Sequence, residues 1–413
     1  MKRIFGLITI SEMEIFFFKQ KSLFEKISKE FDEFYIINLI HFRLIDKKIY
    51  SYDYLNATKL PHNFKVITPV NENELNKFLI NKKLVAFMFF GKRLSSFRIQ
   101  YLVKKYNIRL IYMYNTGAMG EHYLGKTLSK KKETKILRYY FFRFKKIIVH
   151  YLFRVLTILN VFPKIEIYFE STKTIVDNCN NSLAKKIEKI FPFLKICYFK
   201  KIIHINSRSF DMLTKDKLNL SEKKIVFIDL NYDHPMRILR DEIIDGKLRL
   251  QYFNQLTQFL LELSNIFNKK VTVCLYPKSD LNTYKKYLGI FEICKFQTSE
   301  NIRQAFIVVF HQSTIIADAI FLKKKIISLK SNSLGEYNTD RINFFQKKYG
   351  LFSYSLDEKK ELNKDLLETQ LKKITMSYDR YIKEELMADD PILGEDKIIN
   401  TVKKEYFENN MYF

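Results

Sequence analysis

Two hydroxyl residues at the start of a predicted crossover helix could bind an anion. The run 306–310 is short, β-branched and aromatic, which is typical of a buried strand. It ends at His311, Gln312, Ser313 and Thr314, and an Ala-containing helix of about a dozen residues is predicted to follow. The two hydroxyls could cap that helix, and the free N–H groups beside them favour a phosphate. A simple cap without a ligand would explain the same residues.

Two further polar loops follow predicted strands in the same half of the chain. Their candidate residues are Asp229, Asp233 and His234 after one strand, and Tyr276, Pro277 and Lys278 after another. Because the carboxyl ends of parallel strands meet at one edge of a sheet, we expect the three loops to converge. Lys278 would then neutralise a phosphate-bearing leaving group. A lone His or Lys in a loop is usually only solvated, so this prediction depends on the whole set.

A glycine-containing loop follows another predicted strand, 108–114. It holds three of the ten glycines of the chain, and its candidate residues are Asn115, Thr116, Gly117, Gly120, Glu121, His122 and Tyr123. Glycine is concentrated where the backbone bends sharply or lies close to a ligand. The loop is therefore a candidate site at a sheet edge, and the alternative is a flexible connector.

The bulk composition limits the classes of protein. A length of 413 residues favours two domains, and a hydrophobic share of 47% suffices for buried cores. The N-terminal apolar run is too short for a signal peptide, and no uncharged run approaches the roughly 18 residues of a membrane span. The four cysteines have no metal-binding spacing. We expect a cytoplasmic protein with reduced thiols.

Positive charge is concentrated in one segment. The net charge is +26, but lysines are scattered through most predicted helices and no nucleic-acid recognition motif is present, so we expect no nucleic-acid partner. Between Lys126 and Lys164 the only acidic residue is Glu133, and basic residues alternate with large apolar ones. A basic-aromatic helical segment over 126–162 would suit an anionic membrane surface. A core helix with a solvated outer face is the alternative.

Strands and helices alternate along most of the chain, which predicts parallel sheets covered by helices. We expect an α/β protein with two Rossmann-like domains facing each other across a cleft. The boundaries indicated are a first domain over 1–206, a linker over 207–221, a second domain over 222–356 and C-terminal helices over 357–413.

The set of loops resembles that of bacterial sialyltransferases and polysialyltransferase-like proteins of surface-polysaccharide loci. Tyr276-Pro277 is similar to their His-Pro motif, which contacts the nucleotide. Ser313-Thr314, preceded by His311, is similar to the pair that grips the donor phosphate. Their acidic-Gly motif, whose carboxylate is the base, would correspond to Asn115-Thr116-Gly117 and continue to Tyr123. The resemblance implies a GT-B fold without a bound metal or cofactor.

The sequence departs from this pattern in two places. Tyr276 stands where the family has His, although His234-Pro235 is nearby in sequence. Asn115 and Thr116 replace the acidic residues. The candidates for the catalytic base are therefore Glu121 and His122, with Asp229 and Asp233 as further candidates.

The resemblance implies a glycosyltransferase that moves a sugar from a nucleotide-activated donor to a cell-surface glycan. The donor could be CMP-linked and sialic-acid-like, and the acceptor could be a glycan or a lipid-linked glycan at the inner membrane surface. Asn115, Thr116, Gly117, Gly120, Tyr123 and His234 would face the acceptor or line the cleft. A nucleotide-sugar epimerase and a non-catalytic GT-B-like component of polysaccharide assembly remain alternatives.

Overall fold

The computed structural model of the chain describes two compact units. Among the described residues, 2–206 and 388–408 form the first unit and 207–387 form the second. The described ranges are 2–9, 21–42, 61–89, 96–114, 148–149, 151–190, 197, 199–215, 222–232, 246–277, 279–358, 361–375 and 377–408.

The first unit is built on a parallel sheet of seven strands. The strand order is β3-β2-β1-β4-β5-β6-β7. Near-continuous apolar runs such as Ile4–Ile8 are buried, as expected for strands covered on both faces. The strands are β1 (Lys2–Thr9), β2 (Phe34–Asn38), β3 (Phe64–Ile67), β4 (Lys82–Phe89), β5 (Arg109–Tyr114), β6 (Ile165–Glu170) and β7 (Phe199–His204).

Helices connect these strands. The side chain of Asn71 caps α2 by accepting a hydrogen bond from the Glu74 amide, and acidic residues in the first turn suit the helix dipole. A 3₁₀ turn spans Ile40–Phe42. The helices are α1 (Lys21–Glu30), α2 (Glu72–Leu79), α3 (Phe97–Lys105), α4 (151–158), α5 (Lys173–Asn180) and α6 (Leu183–Ile190).

The second unit is built on a parallel sheet of six strands. Its order is β10-β9-β8-β11-β12-β13. Apolar clusters cover both faces, one containing Phe227 and Leu260, the other Val226 and Ile320. The strands are β8 (Lys224–Ile228), β9 (Lys270–Leu275), β10 (Glu292–Lys295), β11 (Ala305–Phe310), β12 (Lys325–Lys330) and β13 (Phe352–Ser355).

The helices of the second unit begin before its first strand. A 3₁₀ turn spans Asn332–Leu334, and a π-helical turn spans Ile382–Leu386. The helices are α7 (Arg208–Lys215), α8 (Gly246–Phe267), α9 (Leu281–Leu288), α10 (Thr298–Arg303), α11 (Ile316–Phe321), α12 (Gly335–Tyr349), α13 (Lys364–Thr375) and α14 (Tyr378–Tyr381).

Helix α7 occupies a span that the sequence indicated as a linker, 207–221. Its apolar residues Phe210 and Leu213 are buried. Its polar residues Ser209 and Asp211 are also buried, and Ser209 Oγ donates a hydrogen bond of 2.6 Å to Asp318 Oδ1. The segment has no clear apolar period because buried polar partners replace apolar contacts on part of its surface. Residues 208–215 are therefore a packed helix of the second unit, and the linker prediction is wrong for them.

The last described residues return to the first unit. Helix α15 (Gly394–Val402) and the π-helical turn Lys403–Glu408 contribute Ile398, Val402 and Tyr406 to the core around β1. The Arg3 guanidinium donates hydrogen bonds of 3.1 and 3.0 Å to the carbonyls of Tyr406 and Phe407. The predicted C-terminal helices thus belong to different units. Helix α15 packs on the first unit, whereas Leu367 and Leu371 of α13 belong to the core of the second unit.

The predicted α/β class with two Rossmann-like units is confirmed. In both sheets the fourth strand lies next to the first, so the strand order reverses between β1 and β4 and between β8 and β11. Ligands of such sheets bind outside the carboxyl ends of the strands at that reversal. The topology therefore points to two edges where a site can form.

Candidate functional site

The reversal point of the second sheet is bordered by two loops. One loop, 229–232, follows β8, and the other, 311–315, follows β11. The two strands pair directly, with Ile228 opposite Phe310. Residues 229 and 311 therefore leave the sheet side by side. This brings together two of the three loops that the sequence singled out in the second unit.

Asp229 is the centre of a buried hydrogen-bond network. Its Oδ2 accepts from Ser279 Oγ at 2.6 Å and from the Tyr276 amide at 3.2 Å, and its Oδ1 accepts from the Tyr284 hydroxyl at 2.6 Å. Burial raises the pKa of Asp229, while these hydrogen bonds lower it. Both carboxylate oxygens are committed inside the protein. The contacts favour a structural role for Asp229 over the catalytic role suggested by the sequence.

His311 is also fully buried. Its Nδ1 lies 3.0 Å from the carbonyl oxygen of Leu329, which can only accept, so Nδ1 carries the proton. Its Nε2 then accepts from the Tyr252 hydroxyl at 2.9 Å. Burial lowers the pKa of His311 to about 4, so the ring is neutral at pH 7. The two buried hydrogen bonds of His311 thus fix the start of the loop 311–315.

The next residues of this loop reach the surface. Ser313 is half-buried and Thr314 is exposed. Within the described part of the chain, their backbone amides have no hydrogen-bond acceptor, while the Ile315 amide donates to Ser313 Oγ at 3.4 Å. The Gln312 side-chain amide donates to Asn338 Oδ1 in the first turn of α12, which ties this loop to that helix.

The prediction that Ser313 or Thr314 caps a long crossover helix is wrong in its geometry. Helix α11 begins at Ile316, Ile315 occupies the cap position, and no side chain caps it. The helix has 6 residues, not about a dozen. The amides of Ile316 and Ala317 bond to the carbonyls of Ser313 and Thr314, which makes a tight turn before the helix. Thr314 itself is exposed at the surface.

A fourth polar loop at this edge was missed in the sequence. It follows β12, which pairs with β11, and it contains Ser331, Asn332 and Ser333. Ser331 caps a short 3₁₀ turn by accepting from the Ser333 amide, and Gly335 then adopts a φ of 74°. The signal was present, because the loop follows an apolar run and is polar like the other loops at this edge, and Gly335 then marks a turn.

Most of the remaining candidates lie outside the described residues. They are Asn115, Thr116, Gly117, Gly120, Glu121, His122, Tyr123, Asp233, His234 and Lys278. Tyr276 and Pro277 are described, both are half-buried, and they follow β9 on the far side of β8. The roles given to all these residues stay predictions.

One buried carboxyl of the first unit was not singled out by the sequence. Glu170 ends β6 beside Tyr114 of β5 and His204 of β7. Its oxygens accept from the Tyr168 hydroxyl at 2.5 Å and from the Thr172 amide at 3.0 Å. Burial raises its pKa to about 7 although both hydrogen bonds lower it. A single acid at the end of a strand gave no sequence signal, since its burial depends on the neighbouring strands.

Two negative findings apply only to the described ranges. No helix there combines the length and apolar character needed to cross a bilayer. Among the same residues, no cluster of three or more His, Cys, Asp and Glu side chains is arranged to hold a metal ion.

The chain is similar in structure to proteins of low sequence identity. The wall teichoic acid polymerase TagF is 12% identical over 98% of this chain and 89% of its own, with a TM-score of 0.50. A TagF variant with a histidine replaced by alanine matches with the same identity and coverage and a TM-score of 0.51. The calicheamicin glycosyltransferase CalG4 is 9% identical over 98% of each chain, with a TM-score of 0.48.

At this level of identity the likeness to TagF shows the fold and nothing further. The GT-B-like class of two Rossmann-like units is thereby confirmed. No protein-family model matches the chain, and no curated protein matches its sequence. The resemblance to sialyltransferases, and the donor and acceptor that it implies, stay predictions.

Proposed function

We propose that the chain is a glycosyltransferase that takes a sugar from a nucleotide-activated donor. The observation that carries this proposal is the position of the loop 311–315 at the strand-order reversal of the second sheet. There Ser313 and Thr314 offer hydroxyls, and their amides have no acceptor among the described residues. Such a group of N–H and O–H donors suits a phosphate.

In the proposed sugar transfer, the donor phosphate is the group that most needs stabilisation. As the bond between sugar and phosphate breaks, negative charge builds up on the departing phosphate oxygen. Donors fixed in advance stabilise that charge without reorganising. The buried hydrogen bonds of His311 and the contact of Gln312 with Asn338 support this role, because they fix the first two residues of the loop. In the proposal Lys278 adds a positive charge.

The acceptor hydroxyl needs a general base as it attacks the sugar. We assign this role to Glu121 or His122 of the glycine loop, since Asp229 is committed to buried donors. Asn115, Thr116, Gly117, Gly120, Tyr123 and His234 are proposed to bind the acceptor. We propose a glycan or lipid-linked acceptor at the inner membrane surface and a CMP-linked, sialic-acid-like donor as the first to be tested.

The double substitution Ser313→Ala with Thr314→Ala tests the phosphate site. Titration calorimetry with CMP, UDP and GDP identifies the nucleotide that binds, and we expect the variant to bind it about tenfold more weakly or worse, as for the loss of two hydrogen bonds. The melting temperature without ligand should change by no more than about 2 °C, because neither hydroxyl is part of the core.

The matched control is Thr375→Ala with Ser377→Ala. These hydroxyls lie on the same unit, one half-buried and one exposed, and they bond only to local carbonyls. The control should bind nucleotide like the wild type. An unchanged nucleotide affinity in the Ser313/Thr314 variant would refute the phosphate assignment. Conversion of the free nucleotide sugar without an acceptor would instead identify an epimerase, and binding without turnover would identify a non-catalytic component.

A further inference from the structure

Helix α4 exposes an apolar stripe on the first unit. Five large apolar residues of this helix and of the turn after it are each exposed over at least 39% of their surface, and Leu159 reaches 65%. They are Leu152, Val155, Ile158, Leu159 and Val161. We call this set the α4 stripe. Single exposed apolar residues are ordinary, but a contiguous group of this size marks an interaction surface.

The spacing of the α4 stripe is that of one helix face. Residues 152, 155 and 159 follow each other at intervals of three and four, so their side chains line up. The opposite face is buried, and Phe153 lies 6.2 Å from Phe97 of α3 and 5.1 Å from Phe162, measured between ring centroids. The helix is therefore already packed on its inner side. The stripe is a second apolar face.

Basic residues border the stripe. Helix α3 lies beside α4, and Lys104 Nζ donates a hydrogen bond of 2.7 Å to Asn160 Oδ1. Arg154 of α4 is exposed. The ranges 97–105 and 148–165 contain no Asp or Glu. A protein partner of mixed charge would meet no acidic group in these two segments, whereas an anionic surface would be matched by Lys104 and Arg154.

We infer that the α4 stripe docks on an anionic lipid surface. An apolar helix face that is flanked by Lys and Arg inserts its side chains at the headgroup boundary, while the cations stay level with the lipid phosphates. This inference deepens the proposed function and rests on it for the acceptor, because a transferase held there would meet lipid-linked glycans. The lipid contact itself requires no nucleotide.

The test compares vesicle binding of the wild-type chain and two double variants. Val155→Glu with Leu159→Glu places two carboxylates in the stripe. Ile290→Glu with Leu366→Glu is the control, because these residues of the second unit are exposed over 65% and 59% of their surface. Cosedimentation is measured with phosphatidylglycerol vesicles and with phosphatidylcholine vesicles. Thermal unfolding checks that all three proteins fold.

We expect the wild type and the control to bind phosphatidylglycerol vesicles and the stripe variant to bind at least about tenfold more weakly. Binding should be weaker to phosphatidylcholine and should fall with added salt. Full binding by the stripe variant, or no binding by the wild type, would overturn the inference. Self-association of the wild type that the stripe variant lacks would also overturn it, since the stripe would then join copies of the chain.

This design distinguishes a failure of the proposed phosphate site from a failure of the proposed lipid surface. The Ser313→Ala and Thr314→Ala variant should bind vesicles like the wild type, because its substitutions lie in the other unit. Loss of nucleotide binding with retained vesicle binding would concern only the phosphate site. Loss of vesicle binding in the stripe variant with retained nucleotide binding would concern only the lipid surface.

Discussion

Tyr284 donates a hydrogen bond of 2.6 Å from its phenol to Asp229 Oδ1, although 55 positions of sequence separate them. The same phenol oxygen accepts from the Tyr232 amide at 3.0 Å. Tyr284 lies on α9, while Asp229 and Tyr232 belong to the loop after β8. The helix thus holds this loop through one buried oxygen. The conformation of the loop 229–232 depends on that contact, as does the site at its edge.

We predict that Asp229→Ala destabilises the second unit by at least about 3 kcal/mol. The substitution leaves the Ser279 hydroxyl, the Tyr276 amide and the Tyr284 hydroxyl without their acceptor, and each buried unpaired donor is costly. Tyr284→Phe should cost about 1–2 kcal/mol, since one hydrogen bond to the carboxylate and one to the Tyr232 amide are lost.

Denaturant unfolding of the two single variants and the double variant measures the coupling between Asp229 and Tyr284. A strong coupling confirms that the carboxylate acts through this network. If Asp229→Ala folds with wild-type stability and has lost only the proposed transferase activity, the structural role is wrong and the catalytic role is favoured.

The central strands were predictable from the sequence because they are buried on both faces. Runs such as 225–228 and 306–310 are short, apolar and bounded by polar loops, and both form strands of the sheet. Their carboxyl ends gave the positions of the loops at residues 229 and 311. The contacts that the side chains of these loops make were not predictable.

The site differed from expectation because polar residues in loops can point inward. His311 and Asp229 have residue types that suit catalysis, yet Tyr252 and Tyr284, which are distant in sequence, bind them in the interior. The sequence gives no sign of such long-range pairs. Helix α7 escaped prediction for the same reason, since Ser209 bonds to Asp318, 109 positions further along the chain.

We predict that acid destabilises the wild type through His311. The pKa of His311 is about 4 in the folded chain and near 6.5 when unfolded, so between these values only the unfolded chain binds the proton. The stability that His311 contributes is complete above pH 6.5 and is lost as the pH falls toward 4. At that pH the loss should reach about 3 kcal/mol.

The measurement compares the wild type with His311→Gln, whose amide can replace both hydrogen bonds but does not titrate. The free energy of unfolding of the wild type relative to the variant should decrease as the pH is lowered from 6.5 to 4. Parallel pH profiles of the two proteins would show that His311 does not titrate on unfolding.

We predict a pH dependence of opposite sign for Glu170. Its pKa is raised to about 7 in the folded chain, above the value of 4.5 for a free side chain. Between these values only the folded chain holds the proton, so the stability contributed by Glu170 is lost as the pH rises from 4.5 to 7. Glu170→Gln resembles the protonated acid and should remove this dependence.

Hydrogen exchange of the strands β5, β6 and β7 is the suitable readout, because it reports the first unit alone. Relative to Glu170→Gln, the wild type should lose protection as the pH rises, after correction for the intrinsic exchange rate. Asp177→Asn on the following helix is the control, because it removes a carboxyl without touching the buried one. A wild-type profile that matches the Gln variant at every pH would contradict the raised pKa.

The C-terminal helix should stabilise the first unit and leave the second unchanged. Ile398 of α15 is fully buried in the core around β1 with Phe5 and Phe24. Ile398→Ala should therefore cost about 2–5 kcal/mol of the stability of the first unit, as for a large-to-small change in a packed core. Ile392→Ala is the control, because that side chain is 46% exposed shortly before the same helix. Hydrogen exchange should show faster opening of β1 and β2 in Ile398→Ala and unchanged protection of β8 and β11. Equal acceleration in both sheets would mean that the two units unfold as one, and no change in β1 would mean that the helix is dispensable for the first unit.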